Sequence, residues 1–298
     1  MSGNNYTIGI TDESQIDNDR LQASVFTPFV CSNMSKRVNP KNVLTDAKSI
    51  IVINVPYNPE GFYTNLSSLG VGCDYHKRVK DVLRVKAAEL ARAYGPFRHR
   101  ILVDSPTLCE RSLAVRAGLG FFGKNGLVIS PVFGSRFNIG VMLTDIPVEN
   151  IRFLTGFGLA IPALSRSCFG DEENLVPIRQ VNCCPEDCGL CLKACPNGAI
   201  RDGKPLNVSL CISYLTQKEN LTAEEEKLLQ GQLYGCDICQ NICPKNAKQE
   251  STYFDPKKIF MLSDNEINEH FGHTAMGWKI GLLKRNALIA VKTRKAVA

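Results

Sequence analysis

Two cysteine-dense runs constrain this chain more than anything else in it. Residues 182–200 read "NCCPEDCGLCLKACPNGAI", with Cys183, Cys184, Cys188, Cys191 and Cys195. Residues 234–246 read "YGCDICQNICPKN", with Cys236, Cys239 and Cys243. Both runs end in C-x2-C-x3-C-P. Spacers this short let thiolates converge on one face of an iron–sulfur cube, and the closing proline turns the chain away from it. Disulfide staples in a chain of 298 residues would be more scattered than these thirteen cysteines are. The opening "MSGNNYTIGITDESQ" has neither basic flank nor apolar stretch, so no secretory signal is expected. A reducing, cytoplasmic setting is expected, in which clustered cysteines hold metal rather than one another.

The spacing predicts two 4Fe-4S clusters with crossed ligands, as in two-cluster bacterial ferredoxins, where the fourth cysteine of each run serves the other cluster. One cluster takes Cys188, Cys191, Cys243 and a leading cysteine from the first run. The other takes Cys195, Cys236, Cys239 and, well upstream of the second run, Cys211. The standard spacing would put the leading cysteine at residue 185, which is Pro185, so Cys184 or Cys183 substitutes. Cys184 needs less slack. Zinc ribbons would also use paired cysteines, but the C-P endings suit two cubanes better. Cys31, Cys73 and Cys109 read as small buried apolar groups.

A ferredoxin needs only about sixty residues, so the chain before the clusters must use their electrons. There, "KSIIVINVPY" (48–57) reads as a buried strand, and "DYHKRVKDVLRVKAAELARAYG" places Val79, Val82, Leu83, Ala87, Leu90 and Tyr94 at helical spacing up to Gly95-Pro96. "RHRILVD" reads as a second buried strand ending at Asp104, followed by a helix with Ser105 as N-cap and Pro106 at N1. "NGLVISPVFGSRFNIGVMLTD" reads as a hairpin. Strands alternating with helices predict an α/β domain with an antiparallel edge. Asp104, at the carboxyl end of a strand, stands where open α/β sheets bind ligands, though a turn aspartate would stand there too. "GLGFFGKNG" (118–126) lacks the Walker spacing, and its glycines suit either close backbone approach to something large and flat or a plain loop. His76 opens the long helix beside Tyr75, a place where most histidines are solvated or structural.

No apolar run approaches the roughly 18 residues a membrane span requires. Of the +6 net charge, all the excess lies from Met276 onward, in Lys279, Lys284, Arg285, Lys292, Arg294 and Lys295, with 29 basic and 29 acidic residues before it. Such a tail could meet phosphates or form a solvated helix face.

Taken together, "RVNP" (37–40), "KSIIVINVPY", "DYHKRVKDVL", "VDSPTLCERSLAVRAGLGFFGKNGLVISPVFGSRFNIGVMLTD", "CISYLT" (211–216) and the two cysteine runs resemble the epoxyqueuosine reductases, cobalamin-dependent iron–sulfur enzymes of tRNA queuosine synthesis. The family is related in turn to reductive dehalogenases. The resemblance implies a corrinoid held between an α/β domain and a cluster domain, reduced by the nearer cubane. It implies Asp104 as proton donor over the corrin. Tyr75, His76, Arg111, Gly120, Gly123, Lys124 and Asn125 would line the cofactor and substrate pocket. A placed acid of this kind contributes about 10²–10⁴-fold, and a desolvated pocket would favour its protonated form.

The expected organisation is an α/β cobalamin-binding catalytic domain over 1–175, a ferredoxin-like domain over 176–250 and a short helical basic tail over 251–298. The family continues into a C-terminal helical-repeat region, of which "KRNALIAV" matches only the start. If that region grips tRNA, the basic tail would have to substitute, or the substrate would be smaller. Two other readings therefore stand beside tRNA epoxyqueuosine reduction. One is a corrinoid reductase or dehalogenase acting on a small molecule, although no twin-arginine export signal is seen. The other is a ferredoxin-type donor that activates another corrinoid protein. A low-potential donor such as ferredoxin or flavodoxin is implied as partner, and no membrane.

Overall fold

The computed structural model describes residues 6–16, 37–57, 61–151 and 183–295. The chain divides into two compact units that interleave in sequence: the first is 1–56, 76–123 and 127–186, and the second is 57–75, 124–126 and 187–298. Residues 31 and 168, both cysteines in the sequence, lie outside the described residues.

The first unit is built on a four-stranded sheet in the order β1 (Thr7–Thr11), β2 (Ser49–Pro56), β6 (Phe137–Thr144), β3 (His99–Val103). The antiparallel pairing expected at an edge runs through every neighbouring pair of this sheet. Because β2 and β3 each pair antiparallel with β6 from opposite sides, they run parallel to one another with β6 between them. Helix α1 (Tyr75–Tyr94) is the crossover, which makes a split β-α-β unit.

The unbroken apolar sequence of β2 reflects helices covering both faces. Ile50 and Val52, with Val141 and Leu143 of β6, pack against Leu108, Leu113, Ala114 and Ala117 in and around helix α2 (Glu110–Arg116). On the opposite face β6 carries Gly140, where any side chain would run into Val79 and Leu83 of α1 and Ile53 of β2. Val79, Leu83, Ala87 and Leu90 are the buried stripe of α1, as the periodicity predicts, and the helix stops before Gly95, whose φ is +81°.

Four local expectations fail. Cys73, read as a small buried apolar group, is exposed. Strand β3 lies at an edge of the described sheet and is largely half-buried rather than buried. The helix expected from Ser105-Pro106 begins only at Glu110, because 105–108 form a turn in which the Ser105 hydroxyl bonds Thr107. Residues 128–129 form β5, which pairs with β4 (Phe121–Phe122) and not with β6, whose two edges β2 and β3 already occupy. Gly120 is required there by its own chain: a Cβ would stand 2.4 Å from the Ile129 carbonyl oxygen.

The second unit contains the short helices α3 (Leu190–Ala194), α4 (Ile212–Leu215), α5 (Ala223–Leu228) and α6 (Ile238–Asn241), then α7 (Pro256–Met261), α8 (Asp264–Phe271) and α9 (Ile280–Lys295). Helix α9 unites its cores. Leu283, Ala287 and Ala290 pack with Leu66, Leu233, Ile259 and Ile267, while Ile289 packs with Leu215 and Leu229. Among the described residues no helix is long and apolar enough to cross a membrane.

Candidate active site

In the first unit the structure gathers three of the sequence-predicted residues. The Asp104 carboxylate lies 3.9 Å from His76 Nε2 and is 70 % exposed, which leaves it reachable. The charges of Asp104 and Arg111 act on one another across the same turn. Asp104 itself has φ +51°, a left-handed conformation that costs most side chains but that aspartate tolerates. Such outliers concentrate at functional sites.

The turn is held by a residue that sequence reasoning misses. Glu110, first residue of α2, reaches back so that Oε2 accepts from the Asp104 N–H at 3.1 Å and Oε1 from the Ser105 N–H at 2.9 Å. Burial pushes the Glu110 carboxyl up to about 8; the two N–H bonds pull it down, and the nearby Asp104 charge pushes it further up. The signal available in sequence is an acidic residue at the first turn of a helix, a pattern too common to single it out. Arg111 next to it keeps accessible surface, yet the surrounding protein weakens its hold on its proton. The like charge of Arg37 adds to that effect, while Cys109, Asp104 and Glu110 oppose it. The Nε of Arg37 is buried with no hydrogen-bond partner among the described residues.

Gly120 and Gly123 belong to the same unit, in the β4–β5 hairpin, where the Gly123 N–H bonds the Leu127 carbonyl. Tyr75, Lys124 and Asn125 are grouped with the second unit. There Lys124 pairs with Asp202 at 3.4 Å, and Asn125 is buried.

The second unit holds the clustered cysteines from Cys188 onward, while Cys183 and Cys184 are grouped with the first. Helices α3 and α6, which carry Cys191 and Cys239, pack on one another. Cys184, Cys188, Cys191, Cys195, Cys211, Cys236, Cys239 and Cys243 are half-buried thiols outside any disulfide, whereas Cys183 is exposed. Three of them, Cys211, Cys236 and Cys239, feel the charges of neighbouring cysteines. Burial pushes the Cys236 thiol up to about 12, with Cys211, Asp237 and Cys195 adding to it. Cys239 is driven still higher by burial and by Cys236, Cys211, Asp237 and Cys191. Cys211 is raised by burial and by Cys195, while N–H bonds from Tyr214 and Ser213 favour its thiolate. Thiols crowded in this way carry proton-free charge only if a cation compensates. Cys195, Cys211, Cys236 and Cys239 are the set assigned to one cluster from spacing, whereas Cys191, whose charge also reaches Cys239, is assigned to the other. Among the described residues no group of three or more histidine, cysteine, aspartate or glutamate side chains fits a single metal ion. A four-iron cube is broader than an ion, and its thiolates stand farther apart.

Asp237, beside Cys236, is 6 % exposed and fully bonded. Its carboxylate accepts from Ser67 Oγ at 2.7 Å, Ser68 N–H at 2.8 Å, Ser68 Oγ at 2.5 Å and Gln240 Nε2 at 2.8 Å. The segment 61–71 is thereby fastened to the loop that carries Cys236 and Cys239. The basic tail is partly spent on structure. Arg285 donates to the carbonyls of Lys218 and Glu219 beyond the end of α4, and Lys284 pairs with Asp264 at 2.5 Å.

Residues 183–246, which contain every cysteine of the proposed ligand set, match the family described as "4Fe-4S double cluster binding domain". Residues 37–105 match "Epoxyqueuosine reductase QueG, DUF1730". The epoxyqueuosine reductase of Bacillus subtilis (strain 168) is 30% identical over 96% of this chain and 74% of its own length. The structure of epoxyqueuosine reductase from Streptococcus thermophilus superposes with a TM-score of 0.75 at 28% identity, covering 96% of this chain and 76% of that one. A crystal structure of epoxyqueuosine reductase with an epoxyqueuosine-modified tRNA stem loop gives 0.74 at 28% identity, with coverage of 96% and 76%. The chain belongs to the epoxyqueuosine reductase family.

Proposed function

We propose that this chain reduces epoxyqueuosine to queuosine in tRNA, using cobalamin and two 4Fe-4S clusters. The observation that carries the reading is the meeting of Asp104, His76 and Arg111 in one turn region, in a chain whose relatives over nearly its whole length are epoxyqueuosine reductases. Supporting it, Arg37 and Arg111 present neighbouring guanidinium groups, one with a buried unbonded Nε. A corrinoid, rich in amide carbonyls and carrying a phosphate, offers acceptors to such donors. The half-buried thiols suit two cubanes, with Cys184, Cys188, Cys191 and Cys243 as one ligand set and Cys195, Cys211, Cys236 and Cys239 as the other.

When bound, the corrinoid supplies the nucleophilic chemistry and the clusters supply low-potential electrons. The chain's own part is to place an acid. Loss of the epoxide oxygen needs two electrons and protons, and the leaving oxygen departs more readily as it is protonated. Asp104 Oδ2 is the atom we assign to that proton, with His76 beside it to orient the carboxyl or to return a proton after turnover. Arg111 would steady the substrate side of the same turn. In this reading residues 1–175 carry the corrinoid and the acid, 176–250 the clusters and 251–298 a tail that packs with the cluster-bearing segment. Electrons enter from a donor such as ferredoxin or flavodoxin, in the cytoplasm, where thiols stay reduced.

The test is anaerobic incubation of the reconstituted protein with epoxyqueuosine-containing tRNA, cobalamin and a low-potential reductant, reading queuosine by nucleoside mass spectrometry. Wild type converts the base, and Asp104→Ala loses about 10²–10⁴-fold in rate with iron content and cobalamin binding unchanged. Bound, reducible cobalamin without turnover would refute the assignment and favour a small-molecule substrate.

A further inference from the structure

We infer that Glu110 is a positioning residue: by gripping two consecutive peptide N–H groups, it fixes the turn from which Asp104 delivers its proton. The inference rests on the role proposed for Asp104. Its geometry stands independently. One carboxylate oxygen takes the Asp104 N–H and the other the Ser105 N–H, at 3.1 and 2.9 Å. Along an extended strand consecutive N–H groups point to opposite sides; a left-handed residue, like a helical one, turns them to the same side, and concavities of N–H groups made in this way bind anions. The +51° φ of Asp104 supplies that conformation. Backbone and carboxylate thus specify one another: the left-handed residue creates the donor pair, and the acceptor pair stabilises the left-handed residue.

The side chain cannot be exchanged for a near relative. Glutamine offers one acceptor and would set its own N–H₂ against the second peptide N–H. Aspartate is a methylene too short to reach back five and six residues from the start of α2. Nor does the helix need Glu110 elsewhere, since its N-cap, Cys109, makes no side-chain capping bond. The surroundings are heavily charged. Asp104, Arg111 and, beyond it, Arg37 face this corner with the Cys109 thiol, and His76 lies across from Asp104. The Glu110 carboxyl is raised to about 8 by burial, so the grip is that of the ionised form, and exchange and turnover are measured above that pH.

The test compares Glu110→Gln with wild type, alone and on an Asp104→Asn background, with two readouts. The first is hydrogen exchange of the Asp104 and Ser105 amides in the reconstituted protein. Glu110→Gln is expected to speed both by tenfold or more, with amides of α1 and β6 unchanged. The second is turnover. Glu110→Gln lowers kcat by about 10–100-fold with KM for the tRNA unchanged, and costs less than twofold further once Asp104 is already asparagine, because residues that act through one another do not add. Unchanged exchange at 104 and 105 overturns the grip. Equal losses on both backgrounds overturn action through Asp104 and leave Glu110 a fold residue. Faster exchange in a protein whose wild type never reduces epoxyqueuosine supports the grip and instead overturns the proposed reaction.

Discussion

Asp237 makes the second unit's most consequential polar joint, and its removal has a size that the structure sets. The carboxylate is 6 % exposed and accepts four hydrogen bonds, two of them from hydroxyls and one from a peptide N–H, in a segment 169–170 residues away. Asp237→Asn keeps the shape and removes the charge. Its amide can still accept from Ser67 and Gln240 on one side. On the other its Nδ2 confronts the Ser68 N–H, a donor that cannot rotate away. A charge-assisted bond to a buried group is worth about 1.5–3 kcal/mol, and a stranded buried donor costs about 1–3 kcal/mol. With partial relaxation the sum is about 3 kcal/mol, or on the order of 6–12 °C in Tm for a unit of this size. Because Asp237 directly follows Cys236, loosening the loop also frees the thiolates of Cys236 and Cys239. Anaerobic thermal unfolding followed by visible absorbance, together with the rate of iron release to a chelator, reads both effects. Ser68→Ala, which keeps its peptide N–H, should lose about a third as much. If Asp237→Asn melts within 2 °C of wild type and releases iron at the same rate, the joint does not carry the loop.

Two further substitutions test the packing on either side of the site. Asn286 is fully buried and donates to the carbonyls of Thr216 and Leu233 at 2.8 Å each; Asn286→Ala should cost about 2–4 kcal/mol in urea unfolding of the holo-protein, and a change below 0.5 kcal/mol would show that α9 is not pinned there. Gly140→Ala sets a methyl 2.4 Å from Val79 Cγ1 and 3.0 Å from Leu83 Cδ1; a loss of about 1–3 kcal/mol is expected, most of it recovered when Val79→Ala is added, and no recovery would mean that the α1–β6 contact is not the cause.

What could be read in advance was whatever a short window contains. The repeated C-x2-C-x3-C-P spacing, the helical stripe of Val79, Leu83, Ala87 and Leu90, and the doubly buried β2 all declare themselves within twenty residues. Cys211 is proposed as a ligand only because one member of a repeated pattern is missing. The turn after β3 misled because Ser105-Pro106 carries a sound helix-start signature. Glu110 instead reaches back to the N–H groups of Asp104 and Ser105, and the left-handed Asp104 aims the chain elsewhere. The hairpin 125–145 misled because adjacency in sequence argues for pairing, while β2 and β3 compete for both edges of β6. The Ser67–Ser68–Asp237 joint left no trace, since three ordinary polar residues far apart in sequence carry no pattern.

Charge bears on how a chain like this can hold a polyanion. The sequence sums to +6, with its excess confined to residues 276–298. Each oxidised 4Fe-4S cluster with four thiolates carries about −2, which brings the loaded protein to about +2. A field that weak does little long-range steering. The tail contributes less than its composition suggests, because Lys284 is paired with Asp264 and Arg285 is bound to backbone carbonyls. Long-range attraction to the phosphate backbone of tRNA is then expected to be small. Binding should therefore show a shallow dependence on salt, since its slope reports the number of phosphates neutralised.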